Sequence, residues 1–508
     1  MATVELTAPA DVSAVEDKGL KAGALGFVSS VVIGVASTAP AYSLAATLGA
    51  VTATVGIGVH APIVMVIAFI PMLFVALAFK YLNQADPDCG TTFTWCARAF
   101  GPITGWLGGW GLIVADVLVM ASLSQIAGSY TFLLFGADSA ANSTFWVGVA
   151  GVIWILLMGL ICYVGIEASA RTQYALLAAE IAVLGVFSIV ALTKVWTGHP
   201  ANSIHPSLEW LNPFGISSFG AMSSALLLAI FIYWGWDTAV SVNEETEDAT
   251  KTPGKAAVVS TLLLLGIYVV VTFAAQAFHG IGFLNNNSDD VLGALGKDVL
   301  GSPWDKLLII AVLTSASAST QTTILPTTRA TLSMSSHGAL PKTFAKIHPR
   351  YLTPGVSTIW MCAVSIVVFL VLNSISSNIL FDSVTATGFG IAFYYGLTGL
   401  ACTWYFRREL LKSVRNFVYV GLLPAVGGVM LLAILGDAVY EAWSPSSSNV
   451  GSSWLGLSPP VAMALLSLLI GIAVMIGQRI VSPDPYFRWK RHVADPSVLE
   501  PEPEVAHG

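Results

Sequence analysis

Apolar positions along this chain do not alternate with polar ones; they gather into long blocks separated by short polar stretches. Blocks near the ~20 residues a helix needs to cross a bilayer fall at 24–54, 62–82, 104–134, 145–165, 172–195, 219–241, 256–281, 304–328, 355–375, 381–405, 416–440 and 459–480. The pattern predicts an all-α integral membrane protein with twelve transmembrane helices. Two blocks contradict themselves. The sixth runs apolar to Phe231, then carries Tyr233, Trp234, Gly235, Trp236 and Asp237 near mid-depth. A carboxylate there costs several kcal/mol unless a cavity or partner receives it. The first is interrupted by Ala36, Ser37, Thr38, Ala39 and Pro40, some 20 Å into a core of about 30 Å. Pro40 removes a backbone donor and pushes Ala39 out of the helical region. Backbone freed at that depth is tolerated where protein or a cavity receives it. Two interrupted helices meeting near the midplane are what a secondary transporter uses to hold a small polar solute.

Composition agrees with a membrane protein: 55% of the 508 residues are hydrophobic and 10% charged, far from soluble averages. The net charge of −7 says little about partners, because most acids lie in tails and loops. There is no basic stripe, so nucleic acid is not an expected partner. Cys89, Cys96, Cys162, Cys362 and Cys402 are scattered, which suits small packing residues rather than a metal set or disulfide framework. No cofactor motif stands out, and the histidines show no ligand spacing. Residues 1–22 lack the apolar core of a cleavable signal, so the first helix is expected to direct insertion. With the N-terminus cytoplasmic, nineteen Lys and Arg fall inside and three, Lys194, Lys297 and Lys306, outside. That asymmetry predicts a multi-pass protein of the cell membrane with both termini cytoplasmic. Three connections look like more than spacers: 86–101, 285–301, with a short helix expected in it, and 328–354. The Pro- and Glu-rich tail from Ser482 is expected to be disordered.

Several of these stretches carry a family likeness. Arg329, Gly338, Leu340-Pro341 and Thr353-Pro354 stand in order in the third connection; Phe231, Tyr233 and Gly235 are followed by Glu244-Glu245 and Pro253. Cys89-Gly90, Ala99-Phe100-Gly101 and Gly109-Trp110 add to the set. Over about residues 20–480 the chain resembles the amino acid-polyamine-organocation permeases. The resemblance implies a 5+5 inverted repeat with helices 1 and 6 broken, two further C-terminal helices, and alternating access. On that plan 1–22 is an N-terminal tail, 23–200 the first repeat, 201–410 the second, 411–481 the last two helices and 482–508 a C-terminal tail.

At a helix break, free N–H groups attract a carboxylate and exposed C=O groups an ammonium. The family usually has Gly-Ser-Gly at the first break; Ala36-Ser37-Thr38 stand here, with the amides of Ser37, Thr38 and Ala39 expected to remain available. Ala36, Ser37, Thr38 and Ala39, with Phe231, Tyr233, Trp234 and Gly235, form the expected substrate site. The expected cargo is an amino acid, with a polyamine or other organic amine as the alternative. A blander reading has the Ser37 and Thr38 hydroxyls merely bonding back along the helix. Phe231, Tyr233, Trp234 and Trp236 cannot all face one pocket, since successive helical residues point about 100° apart; one or two must face lipid or pack. By resemblance Phe231 is the external gate.

Asp116, Glu180 and Asp237 are the candidate proton-coupling groups, because a buried carboxyl whose hydration changes during a cycle can load and release a proton. The family often has a lysine near Glu180, so the acid here is not expected to support lysine-style coupling and stands as a proton carrier or a cation ligand. The alternative for each acid is a neutral carboxyl bonded between helices. Sodium is the second choice of coupling ion, with the hydroxyl-rich run Thr314 to Thr320 as its oxygen source. Glu244, Glu245, Glu247 and Asp248 either join Lys251, Arg98 or Arg329 in an inner gate or form a solvated end. A channel lacks its filter repeats here, and no HExxH or GxSxG marks an enzyme. An exchanger, or a non-transporting sensor on the same fold, stays open.

Overall fold

The computed structural model describes residues 17–288, 290–376, 378–443, 453–481, 485–488 and 499. Residues 1–16 of the expected N-terminal tail, and most of the tail expected from Ser482, lie outside the described residues.

The chain is helical, with no strand among the described residues. In order the helices are α1 (Phe27–Ser37), α2 (Pro40–Ala53), α3 (Ala61–Ala85), α4 (Thr92–Phe100), α5 (Pro102–Leu134), α6 (Asp138–Ala141), α7 (Thr144–Val164), α8 (Ile166–Thr197) and α9 (Phe219–Tyr233). They continue as α10 (Thr238–Ser241), α11 (Thr252–Asn286), α12 (Val291–Leu300), α13 (Lys306–Ser336), α14 (Gly355–Ile375), α15 (Ile379–Tyr405), α16 (Val414–Asn416), α17 (Leu423–Ala442) and α18 (Pro459–Val481). Proline opens several of them at the first or second position, as at Pro40, Pro102, Pro253 and Pro424, where the missing N–H has no intrahelical partner to lose.

Among the described residues, ten spans are long and apolar enough to cross a membrane. The other two expected blocks correspond to α9, only 15 residues long, and to α15, whose 27 residues include Asp382, Ser383, Thr385, Thr387, Tyr394 and Tyr395. Exposed Ile153, Leu160, Ile359, Val367 and Ile470 give α7, α14 and α18 the apolar exterior that hydrocarbon requires. α5 packs against α13 and α15, α3 against α11 and α17, and α8 against α13 and α11. α1, α2 and α9 sit between these layers.

Three local differences from the sequence reading have physical reasons. The connection 86–101 folds into α4, whose residues 92–97 are all buried, so its Thr and Cys content lowered the apolar signal without lowering helicity. α13 runs past the expected end at residue 328 to Ser336, because an ion pair at Arg329 keeps the polar turn inside protein. α8 starts at Ile166, since Gly165 alone, at φ 147°, turns the corner from α7. The short helix expected within 285–301 is α12.

Candidate functional site

The first break lies where the sequence places it. α1 ends at Ser37, Ala39 takes the left-handed conformation at φ 47° and ψ 66°, and Pro40 opens α2. A non-glycine residue there is held against a cost of roughly 1–2 kcal/mol, and Ala39 is buried, so its surroundings impose the shape. The amides do not stand free as expected. Thr38 N donates to Val35 O at 3.2 Å and Ala39 N to Ala36 O at 3.1 Å, because the end of α1 tightens into three-residue turns. Beyond Pro40, Ala41 N donates to Glu180 Oε1 at 2.7 Å and Tyr42 N to Ser315 Oγ at 3.1 Å. Ser315 Oγ in turn donates to the same Glu180 oxygen at 2.8 Å. The Thr38 hydroxyl does bond back, to Val35 O, whereas the Ser37 hydroxyl reaches Thr238 Oγ1 at 2.8 Å. From the hydroxyl-rich run, Ser315 and Ser319 meet this break, Ser319 Oγ donating to Ser37 O at 2.9 Å.

The second break touches the first. α9 stops at Tyr233, Trp234 is extended, Gly235 has φ 120°, and α10 begins at Thr238. A Cβ on Gly235 would stand 2.8 Å from the Ser37 carbonyl, so only glycine allows the approach. Phe231, Tyr233, Trp234 and Trp236 are all buried; none faces lipid, and the crowding is resolved by packing. Tyr233 packs on Phe69 and Tyr268, and Trp236 on Phe79 and Tyr395. The Tyr268 hydroxyl donates to Ile232 O at 2.6 Å at the end of α9.

The three acids are all buried, each with its own hydrogen-bond partners. Asp237 accepts from the hydroxyls of Tyr394 at 2.9 Å and Tyr395 at 2.8 Å, and Trp234 Nε1 donates to Tyr394 Oη. Asp116 accepts from Thr327 Oγ1. Glu180 leaves Oε2 buried without a hydrogen-bond partner among the described residues. Tyr394 and Tyr395 were missed in the sequence. Their signal was a pair of tyrosines in a membrane block, whose hydroxyls need partners when buried.

The two ends of the bundle differ. At the end reached by the C-terminus of α2, a cavity of about 720 Å³ is lined by parts of α2, α9, α15 and α17. Its deepest lining residues on α2 and α9 are Ala46 and Leu228; at about 1.5 Å per residue, Phe231 stands only one turn further in. The opposite end is closed by ion pairs. Arg329 is bidentate to Glu245 at 2.9 Å on both arms, with both side chains buried. Lys18 joins Asp88 at 3.0 Å and Glu244, and Arg98 pairs with Asp86. Leu25 N donates to Glu245 O and Glu247 N to Leu25 O, binding the segment before α1 to the segment after α10. Glu247 and Asp248 are exposed, so the acidic run divides between buried ion pairs and solvent.

Charge at this end follows from burial. Burial would lower Lys18, yet Asp88 and Glu244 outweigh it and hold the ammonium above its ordinary value. Burial would raise Asp88, yet Lys18 and His337 hold it below the usual carboxylate range. Burial lifts Asp86 to about 7 against the pull of Arg98. Asp88, Cys89 and Glu244 place three donor atoms within 4.8 Å of one another, and the Lys18 ammonium is paired with the two carboxylates of the set. Lys18 is one of the nineteen inside charges of the sequence; its partners are 70 and 226 residues away, beyond any local pattern.

Comparison with known proteins places the chain in a family. The pattern of the Amino acid permease family matches residues 23–479. The chain is 24% identical over 377 residues to the branched-chain amino acid permease BcaP of Lactococcus lactis, covering 70% of this chain and 77% of that protein. It is 21% identical over 410 residues to the low-affinity putrescine importer PlaP of Escherichia coli, covering 78% and 84%. The arginine/ornithine antiporter ArcD1 of Lactococcus lactis is 22% identical over 394 residues, covering 73% and 72%.

Proposed function

The chain belongs to the amino acid permease family of the amino acid-polyamine-organocation superfamily, a multi-pass membrane transporter, and from that premise we propose that it moves a small amine-bearing solute by proton-coupled alternating access. The observation that carries this reading is the contact of Ser37 with Gly235: two interrupted helices meet below a cavity open at one end and behind ion pairs that close the other. That asymmetry suits a state open to one side, with the site reached from the cavity and sealed from the Lys18 end.

In this reading the chain crosses the cell membrane twelve times, with 23–200 and 201–410 as inverted repeats and 411–481 appended. Interruptions in the first and sixth spans support the repeat, and the nineteen-to-three distribution of Lys and Arg supports cytoplasmic termini. The Lys18 end is then cytoplasmic and the state outward-open. Ala36, Ser37, Thr38 and Ala39, with Phe231, Tyr233, Trp234 and Gly235, surround the solute. Phe231 closes over it from the cavity side. Asp116, Glu180 and Asp237 are the carriers considered for the coupling proton. Protons are favoured over sodium because the Ser315 and Ser319 hydroxyls already donate to Glu180 and Ser37.

The test is uptake of radiolabelled amino acids and amines into proteoliposomes under an imposed inward proton gradient. Accumulation should collapse with a protonophore and in Asp237→Asn, with binding retained. Equal accumulation on a sodium gradient alone would reject proton coupling.

A further inference from the structure

The first break is already occupied by a carboxyl group belonging to the protein, that of Glu180. α2 has 14 residues, and a helix start carries about half a positive charge. Pro40 has no N–H, Ala41 N is bonded to Glu180, Tyr42 N to Ser315 Oγ, and Ser43 N to Ala39 O at 2.8 Å. An incoming carboxylate therefore finds no free amide in this turn. Once ionised beside a cation, Glu180 carries a whole negative charge, which outweighs the roughly half charge it faces. Glu180 Oε2, buried and unpartnered, is an acceptor still to be satisfied.

The neighbouring helix ends have the same sign. α1 and α9, of 11 and 15 residues, both terminate at the breaks, and each presents a carbonyl end worth roughly half a negative charge. The approach agrees as well. Among the described residues lining the cavity, Glu441 is the only charged one, and it accepts from Ser224 Oγ at 2.6 Å. At the far side, Arg329 is neutralised by Glu245.

We propose that Glu180 is the counter-ion of an ammonium group, and that the cargo is an organic amine without a free carboxylate, of the kind left when an amino acid is decarboxylated. This rests on the transporter reading above and narrows its substrate class. An ammonium completes Glu180 Oε2 and lies among the carbonyl ends of α1 and α9; an α-carboxylate at the first break meets bonded amides. Glu180 then serves the cargo, and the coupling proton stays with Asp116 and Asp237.

The experiment pairs each amine with its parent acid on full-length protein in proteoliposomes: putrescine with ornithine, isoamylamine with leucine, phenethylamine with phenylalanine. Each amine should compete for uptake about tenfold more tightly than its parent, a difference of about 1.4 kcal/mol. Glu180→Gln should weaken the amine by a similar factor and narrow the gap. Glu441→Gln, at an exposed position, should slow amine uptake at low salt and not at high salt, as expected for a screened approach charge. Amino acids taken up as well as or better than their amines overturn the cargo assignment and leave the transporter reading standing. No uptake of either kind overturns both. Unchanged amine affinity in folded Glu180→Gln removes the counter-ion role. The wild-type panel needs no variant, so a misfolded Glu180→Gln still leaves the cargo decided.

Discussion

Gly235 lies against Ser37 so closely that a Cβ on the glycine would sit 2.8 Å from the serine carbonyl carbon and oxygen and 3.0 Å from its hydroxyl. The two breaks thus touch through a position that cannot accept a methyl group. Gly235→Ala must displace the end of α1 and also hold φ 120°, where a side chain is strained. Overpacking of this kind costs about 1–3 kcal/mol. The expected result is a lower melting temperature in detergent and loss of uptake. Gly185→Ala serves as control, since nothing lies within 4 Å of its Cβ position. If Gly235→Ala transports like wild type, the contact does not constrain the cycle.

Much of this arrangement was legible because its causes are local. Pro40 marks the first break whatever the tertiary structure does, and Asp237 cannot sit in lipid unpartnered. What the sequence could not carry were pairings across the fold. Glu180 finds Ala41 across 139 residues, a partner outside any local pattern, while the expected free amides are taken nearby, Thr38 N by Val35 O and Ala39 N by Ala36 O. The Lys18 end shows the same limit: Arg329 and Glu245, 84 residues apart, are one pairing among several that the sequence offers, and nothing local marks the buried place of Lys18. α4 was read as a connection because its buried polar residues bond within protein rather than face lipid.

The buried Arg329–Glu245 pair gives a prediction of asymmetric loss. Removing one partner leaves an uncompensated charge, which costs about 3–5 kcal/mol, whereas removing both leaves neither. Glu245→Gln and Arg329→Met should each lower the melting temperature sharply, and the double variant should recover part of the loss. Additive losses in the double-mutant cycle would mean that the pair is not coupled.

Phe231 stands one helical turn below the cavity-lining Leu227 and Leu228 and is itself buried. If it closes over the solute, Phe231→Ala removes a ring that excludes water from the bound state. The apparent KM for uptake should then rise several-fold. The core cost of such a truncation, about 3–5 kcal/mol, must be checked separately by melting. A variant with lowered stability and an unchanged KM would make Phe231 a packing residue.

At the Lys18 end, stability should depend on pH in a direction set by Asp86. Its ordinary value is 3.8, and in the folded protein burial raises it to about 7. The folded state binds this proton more tightly than the unfolded chain does, so the contribution is full below 3.8 and is lost as pH rises through 7. Glu244, raised by burial and by Asp88, has the same sign. Asp88, held low chiefly by Lys18 against burial, has the opposite sign, and its contribution fades only on acidification. Lys18, held high by its carboxylates, keeps its contribution throughout this range. Melting temperature measured from about pH 5 to pH 8 should therefore include a fall with rising pH that is smaller in Asp86→Asn. Parallel curves for the two proteins would show that Asp86 does not titrate in this window.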